Sequence, residues 1–171
     1  MKKGFTLVEL LIVIVIIGIL ITISIPNLIR TVRRSQEASV KENMHTLHVI
    51  CEEYSTMTHG IYPGGIDTKI SQIIENPPEE ISEISIAGGV RVPPFPQNAL
   101  IKPHMNFKNP FTPSEKAIDN LFTGPPAVPP SGCVYYTGYK IDGSIANEGE
   151  PAFSYKITGF GHSSPIDLVL P

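Results

Sequence analysis

Residues 5–25 read FTLVELLIVIVIIGILITISI, apolar on every side of a helix rather than along one stripe, so lipid or other protein must surround them. Glu9 is the only charge in this run and Gly18 its only glycine. At 1.5 Å per residue, a helix of about 20 residues spans the roughly 30 Å of a bilayer's hydrocarbon core. After Pro26 the pattern turns amphipathic. Leu28, Val32, Val40, Met44, Leu47, Cys51 and Tyr54 recur at threes, fours and their multiples, while Arg30, Arg33, Arg34, Glu37, Lys41, Glu42, Glu52 and Glu53 take other faces. Gly60 is a helix stop and Tyr62-Pro63-Gly64-Gly65 is turn chemistry. The spacing therefore predicts one long helix over residues 6–59. Few core helices of soluble proteins are this long and this uniformly apolar.

The rest of the chain reads differently. Of 17 prolines, 13 lie between Pro63 and Pro130, a density that excludes long helices and central strands. A short helix is predicted to start at Asp67 as N-cap, with Ile70, Ile73 and Ile74 turned inward. Ile84, Ile86, Val90, Val92, Phe95, Leu100, Phe107, Phe111, Leu121 and Phe122 let this stretch pack, so it reads as an ordered connection. Beyond it, residues 134–139, 152–158 and 166–170 are rich in β-branched and aromatic side chains, punctuated by Asp142-Gly143, Gly149 and Gly161. These predict a small antiparallel sheet. The expected fold class is α+β: a long N-terminal helix packed in its second half on a small antiparallel sheet head. Its divisions are an apolar spanning helix at 5–26, its amphipathic continuation at 27–60, a Pro-rich connection at 61–131 and the sheet at 132–171.

Composition sharpens this picture in one respect. The 171 residues carry 13 Lys+Arg and 16 Asp+Glu, a net charge of −3, which gives no electrostatic footprint for nucleic acid. That total hides a gradient. Residues 1–34 hold Lys2, Lys3, Arg30, Arg33 and Arg34 against Glu9, a net +4, and the remainder holds 8 basic and 15 acidic groups, a net −7. Basic residues flank the apolar run on both sides, so the positive-inside rule leaves its orientation open.

A basic start before an apolar run also describes a secretory signal peptide. Here the run is long, and TISIPN at 22–27 offers no small-x-small cleavage site, so the segment is expected to stay attached. Glu9 within it is costly, about 2.5–3.5 kcal/mol on insertion scales, and needs a partner from another chain or a proton; the alternative is a Glu resting near the interface. Pro26 lacks an N–H and should kink or open the helix there, with Gly18 loosening the stretch between.

Lys2-Lys3-Gly4, then Phe5-Thr6-Leu7-Val8-Glu9-Leu10, Gly18 and Ile25-Pro26-Asn27 together resemble the N-terminus of type IV pilins and type II secretion pseudopilins. The resemblance covers about the first 35 residues. It implies a leader at 1–4, cut by a prepilin peptidase between Gly4 and Phe5, and N-methylation of the new amine at Phe5. It also implies that Glu9 of one subunit pairs with the Phe5 amine of a neighbour, and that the stretch from Gly18 to Pro26 melts on entry into a filament; an ordinary Pro-kinked membrane helix is the alternative for that stretch. The implied fold is the α+β arrangement already predicted. The implied partners are membrane lipid, the peptidase, inner-membrane assembly machinery and identical or homologous subunits, with the head in the periplasm or outside. The implied role is a structural subunit of a pilus or secretion pseudopilus.

The remaining chemistry is sparse. Cys51 and Cys133 could close a disulfide between helix and sheet, or stand as two buried thiols. His45, His48 and Cys51 lie three apart on the helix but have no fourth ligand, and read as structural. The oxygen-rich stretch with Asp142, Ser144, Asn147, Glu148 and Glu150 is a calcium candidate, although it fits no EF-hand spacing and reads better as a solvated hairpin loop. No other cofactor is expected. No nucleophile elbow, phosphate-binding glycine loop or HExxH occurs, which argues against an enzyme. The rival reading from another class is a single-pass, membrane-anchored binding module that never polymerises.

Overall fold

The structure is a computed structural model describing residues 5–89, 95–105, 107–120, 130–162 and 164–166. It forms two compact units, one running to Ser35 and the other from Gln36 onward. The first is the apolar half of helix α1, which spans Leu7–Met57. This helix is continuous through Pro26. Its hydroxyls are turned back onto its own backbone: Thr22 donates to the Gly18 carbonyl at 2.8 Å, Ser24 to Leu20 at 2.7 Å and Thr31 to Asn27 at 3.0 Å. In this way an apolar segment carries polar residues without leaving their hydroxyl protons unpaired.

The second unit is built around the later part of α1. Val40, Met44, Leu47, Ile50, Cys51 and Tyr54 are buried at the three-and-four spacing of one helix face. The buried stripe starts at Val40, later than predicted. Leu28 and Val32 belong to the exposed apolar half. At the far end, the Gly60 N–H donates to the Ser55 carbonyl at 2.9 Å and the Thr58 hydroxyl to that of Tyr54 at 3.0 Å, which satisfies two of the last-turn carbonyls.

Six strands are described. Strand β1 (Tyr62–Pro63) pairs with β4 (Pro151–Ala152) as a two-stranded ribbon. Strands β2 (Ile118–Asn120), β3 (Val134–Tyr139), β5 (Ser154–Phe160) and β6 (Pro165–Ile166) form a sheet in the order β2-β3-β5-β6. The β3–β5–β6 pairings are antiparallel as expected, but β2 joins β3 in parallel, which makes the sheet mixed. That edge was not legible because β2 is three residues of the Pro-rich connection, too short to show an alternation. The expected strand at 152–158 divides at Phe153, with Ala152 pairing to β1 and the remainder to β3. The end of the last predicted strand, 167–170, lies outside the described residues, as do the leader at 1–4 and the packing candidates Val90, Val92, Leu121 and Phe122.

The connection packs as expected. Ile86, Phe95, Leu100 and Phe107 are buried, and Ile84 and Phe111 lie against the same core. Its local structure differs from the prediction. A 3-10 turn covers Ile70–Gln72, entered from Lys69, whose N–H donates to the Gln72 side chain at 2.7 Å. The N-cap is Lys69 rather than the predicted Asp67, whose carboxylate accepts from the Gly89 N–H at 3.0 Å. Helix α2 (Glu79–Ser82) is a single turn behind Pro78.

Candidate functional site

The apolar half of α1 is the feature that compact folding leaves unexplained. Every large hydrophobic side chain from Phe5 to Val32 is between 44% and 79% exposed. The helix is long and apolar enough to cross a membrane, and none of its most apolar window is buried within the protein. Exposed apolar surface on this scale needs a covering phase, either lipid or copies of similar helices.

Glu9 sits in the first turn. Thr6 precedes α1 as its N-cap, and Glu9 occupies the third helical position. The Thr6 N–H and hydroxyl both donate to Glu9 Oε2 at 2.8 Å, and the Glu9 N–H reaches back to the Thr6 hydroxyl at 3.3 Å. This is a capping box. It satisfies otherwise unpaired N–H groups at the helix start and fixes the carboxylate beside the chain's own Phe5–Thr6 junction. Sequence reasoning singled out Glu9 as a charge in oil and missed this second role, although the Thr-x-x-Glu signature was present. Gly4 lies outside the described residues, while Phe5 is 75% exposed. Gly18 is helical with open space where a Cβ would stand, and Pro26 lies inside the helix, so neither is held by packing in this state.

The other candidates resolve into structural roles. Cys51 and Cys133 are both free thiols. They belong to different clusters: Cys51 to the main core with Val134 and Tyr136, Cys133 to a second cluster with Tyr135 and Phe160. Alternation along β3 explains the separation, since Cys133 and Tyr135 project from one face and Val134 and Tyr136 from the other. Burial raises the Cys51 thiol well above its usual value and pushes Cys133 up to about 12.

The calcium candidates are occupied separately. Asp142 accepts from the Ser144 hydroxyl and N–H at 2.6 and 2.9 Å. Glu150 binds the Asn147 N–H at 2.8 Å and Lys140 Nζ at 2.9 Å. Glu148 takes the Thr68 hydroxyl and the Asn120 amide, each at 2.8 Å. Their carboxylates serve different neighbours, and among the described residues no group of three or more His, Cys, Asp or Glu could hold a metal ion. His48 is likewise engaged, its Nδ1 against the Tyr155 hydroxyl.

Comparison with known families points to the same segment. Residues 1–25 match the prokaryotic N-terminal methylation motif. Over 47 residues the chain is 50% identical to the type IV major pilin protein PilA of Myxococcus xanthus (strain DK1622), a match spanning 28% of this chain and 21% of that pilin. No solved structure matches. The methylation motif falls on the start of the exposed apolar helix, and the chain is similar to a type IV pilin over about a fifth of that pilin's length.

Proposed function

We propose that this chain is a structural, non-catalytic subunit of a type IV filament, held in the inner membrane by α1 before assembly with its head on the far side. A prepilin peptidase cuts between Gly4 and Phe5, and the new Phe5 amine is methylated. Glycine before the cut suits a protease reading extended backbone, since it presents no Cβ. Inner-membrane machinery then draws the subunit from lipid into a bundle of the same helices. The apolar run exchanges lipid for protein, so the hydrophobic term nearly cancels and packing and polar pairing must favour assembly.

The observation that carries this reading is the coincidence of an exposed apolar helix segment with one carboxylate in its first turn. Cleavage sets a cation beside that carboxylate. Each charge is costly in an apolar bundle, and together they offset one another, so Glu9 of one copy and the amine of the next fix the register of stacking. Pro26 leaves the Thr22 carbonyl without its helical donor, and the stretch from Gly18 to Pro26 is where α1 opens as a subunit enters the filament. Membership of a surface pilus or of a secretion pseudopilus fits these features equally.

Mass spectrometry of the mature N-terminus tests the processing step. The expected chain begins at an N-methylated Phe5; a chain retaining residues 1–4 contradicts it. In the membrane-anchored module, the rival reading, Glu9→Ala leaves membrane level and behaviour unchanged. In a filament subunit it abolishes assembly at unchanged membrane level.

A further inference from the structure

Where α1 crosses the head, one face stays uncovered: Glu42, His45, Val49, Glu52, Glu53 and Thr56 are exposed. Glu52 on this face is held in place. Its carboxylate accepts from the Tyr155 hydroxyl at 2.7 Å and from the Tyr62 hydroxyl at 3.3 Å, with His48 Nδ1 4.0 Å away. The rings of Tyr62 and Tyr155 meet at 4.7 Å between centroids and 59° between planes, and Tyr155 stacks in turn on buried Tyr136 at 5.7 Å. A carboxylate anchored by two phenol hydroxyls has already lost the rotamer freedom that makes ordinary surface ion pairs weak. Each phenol also donates to an anion, which enriches its ring and strengthens the attraction of its face for a cation. Exposed Glu53 adds a second negative charge beside this corner.

The chain also presents the complementary group. Arg30, Arg33 and Arg34 are exposed, and among the described residues none of them makes an ion pair. They supply most of the positive charge of a segment at net +4, against a remainder at −7. A planar guanidinium pairs with a carboxylate through two parallel hydrogen bonds and stacks on an aromatic face, which a lysine ammonium cannot do.

We propose that the corner formed by Glu52, Tyr62 and Tyr155, with Glu53 beside it, docks an arginine of the 30–34 segment of a second copy of this chain. The inference rests on the filament reading and adds a head-level contact to it. The contact acts between exposed charges, so it weakens as salt shortens the screening length.

The test uses the full chain in cells that assemble it, measuring sheared filament yield beside membrane level and the thermal midpoint of the purified subunit. Glu52→Arg with Glu53→Arg, and separately Arg33→Glu with Arg34→Glu, are each expected to lower filament yield about tenfold at unchanged membrane level and midpoint, and the four changes combined to recover to within about threefold of native. Arg33→Lys with Arg34→Lys is expected to fall between native and the charge reversals. Equal yields from native and Glu52→Arg/Glu53→Arg chains overturn the docking contact while leaving the filament reading intact. A combined variant no better than either reversal overturns it as well. A native chain that stays monomeric overturns both.

Discussion

Asn109 shows how a single side chain holds a segment that has almost no regular structure. It is 1% exposed and makes four hydrogen bonds: its amide donates to the Lys116 and Ser131 carbonyls at 3.3 and 2.9 Å, and its oxygen accepts the Phe111 and Thr112 N–H groups at 2.9 and 3.0 Å. Gly132, at φ +84°, passes so close that a Cβ would stand 2.1 Å from the Asn109 oxygen. Asn109→Ala leaves four backbone groups to find water or remain unpaired, and is expected to cost about 2–4 kcal/mol in denaturant unfolding of the detergent-solubilised chain. A loss below about 0.5 kcal/mol would contradict the role. Nothing in the sequence marks this asparagine apart from others in a Pro-rich stretch, because its partners lie up to 22 residues away. The two thiols give a second outcome at this scale. Both are buried with raised pKa values, so iodoacetamide at about pH 8 should modify neither in the folded chain and both in denaturant. Rapid labelling of the folded chain would show the burial to be wrong. Asp142 and Glu150 set the acid behaviour. The Ser144 hydroxyl and N–H lower Asp142, and the Asn147 N–H followed by Lys140 lowers Glu150. The folded chain thus releases these protons more readily than the unfolded one. Their stabilisation is complete above the usual carboxylate range, about 4, and is lost as pH falls through the lower folded values. The thermal midpoint should therefore fall below about pH 4, and fall less in Asp142→Asn/Glu150→Gln.

At the level of elements, legibility followed the period of the pattern. Helix α1 was predicted at 6–59 and is found at Leu7–Met57, because 3.6-residue spacing over some 50 residues cannot be mistaken and Gly60 marks its end. Strand β3 was read to the residue. The parallel strand β2 and the 3-10 turn at Ile70–Gln72 were not, since three-residue elements are decided by tertiary partners rather than local preference. Glu9 was found as an anomaly of charge, while its capping role went unread because hydropathy, the stronger signal, explained the same turn. The junction of α1 with the sheet is also tighter than any pattern shows. At Gly159 of β5, a Cβ would lie 2.5 Å from Met44 Sδ and 2.8 Å from Val40 Cγ1. Gly159→Ala should separate helix from sheet and cost about 1–3 kcal/mol. An unchanged unfolding midpoint would mean that the contact relaxes freely.

The whole molecule divides its labour between a unit that satisfies itself and one that does not. From Gln36 onward, the stripe of α1 that begins at Val40 is covered by sheet and connection. Before it, an apolar helix is exposed along its length, with a carboxylate that caps its own first turn. A soluble fold would have buried that helix, and in a plain anchor the acid would serve its own helix cap alone. The account therefore turns on Glu9, whose charge is tolerable in an apolar bundle only when a neighbour's amine meets it. Filament yield from cells carrying Glu9→Gln, compared with native at equal membrane level, tests this most directly. The substitution keeps the shape and the cap's hydrogen-bonding oxygen while removing the charge. The account predicts at least about a tenfold fall in filaments with the head still folded; filaments in native amounts would contradict it.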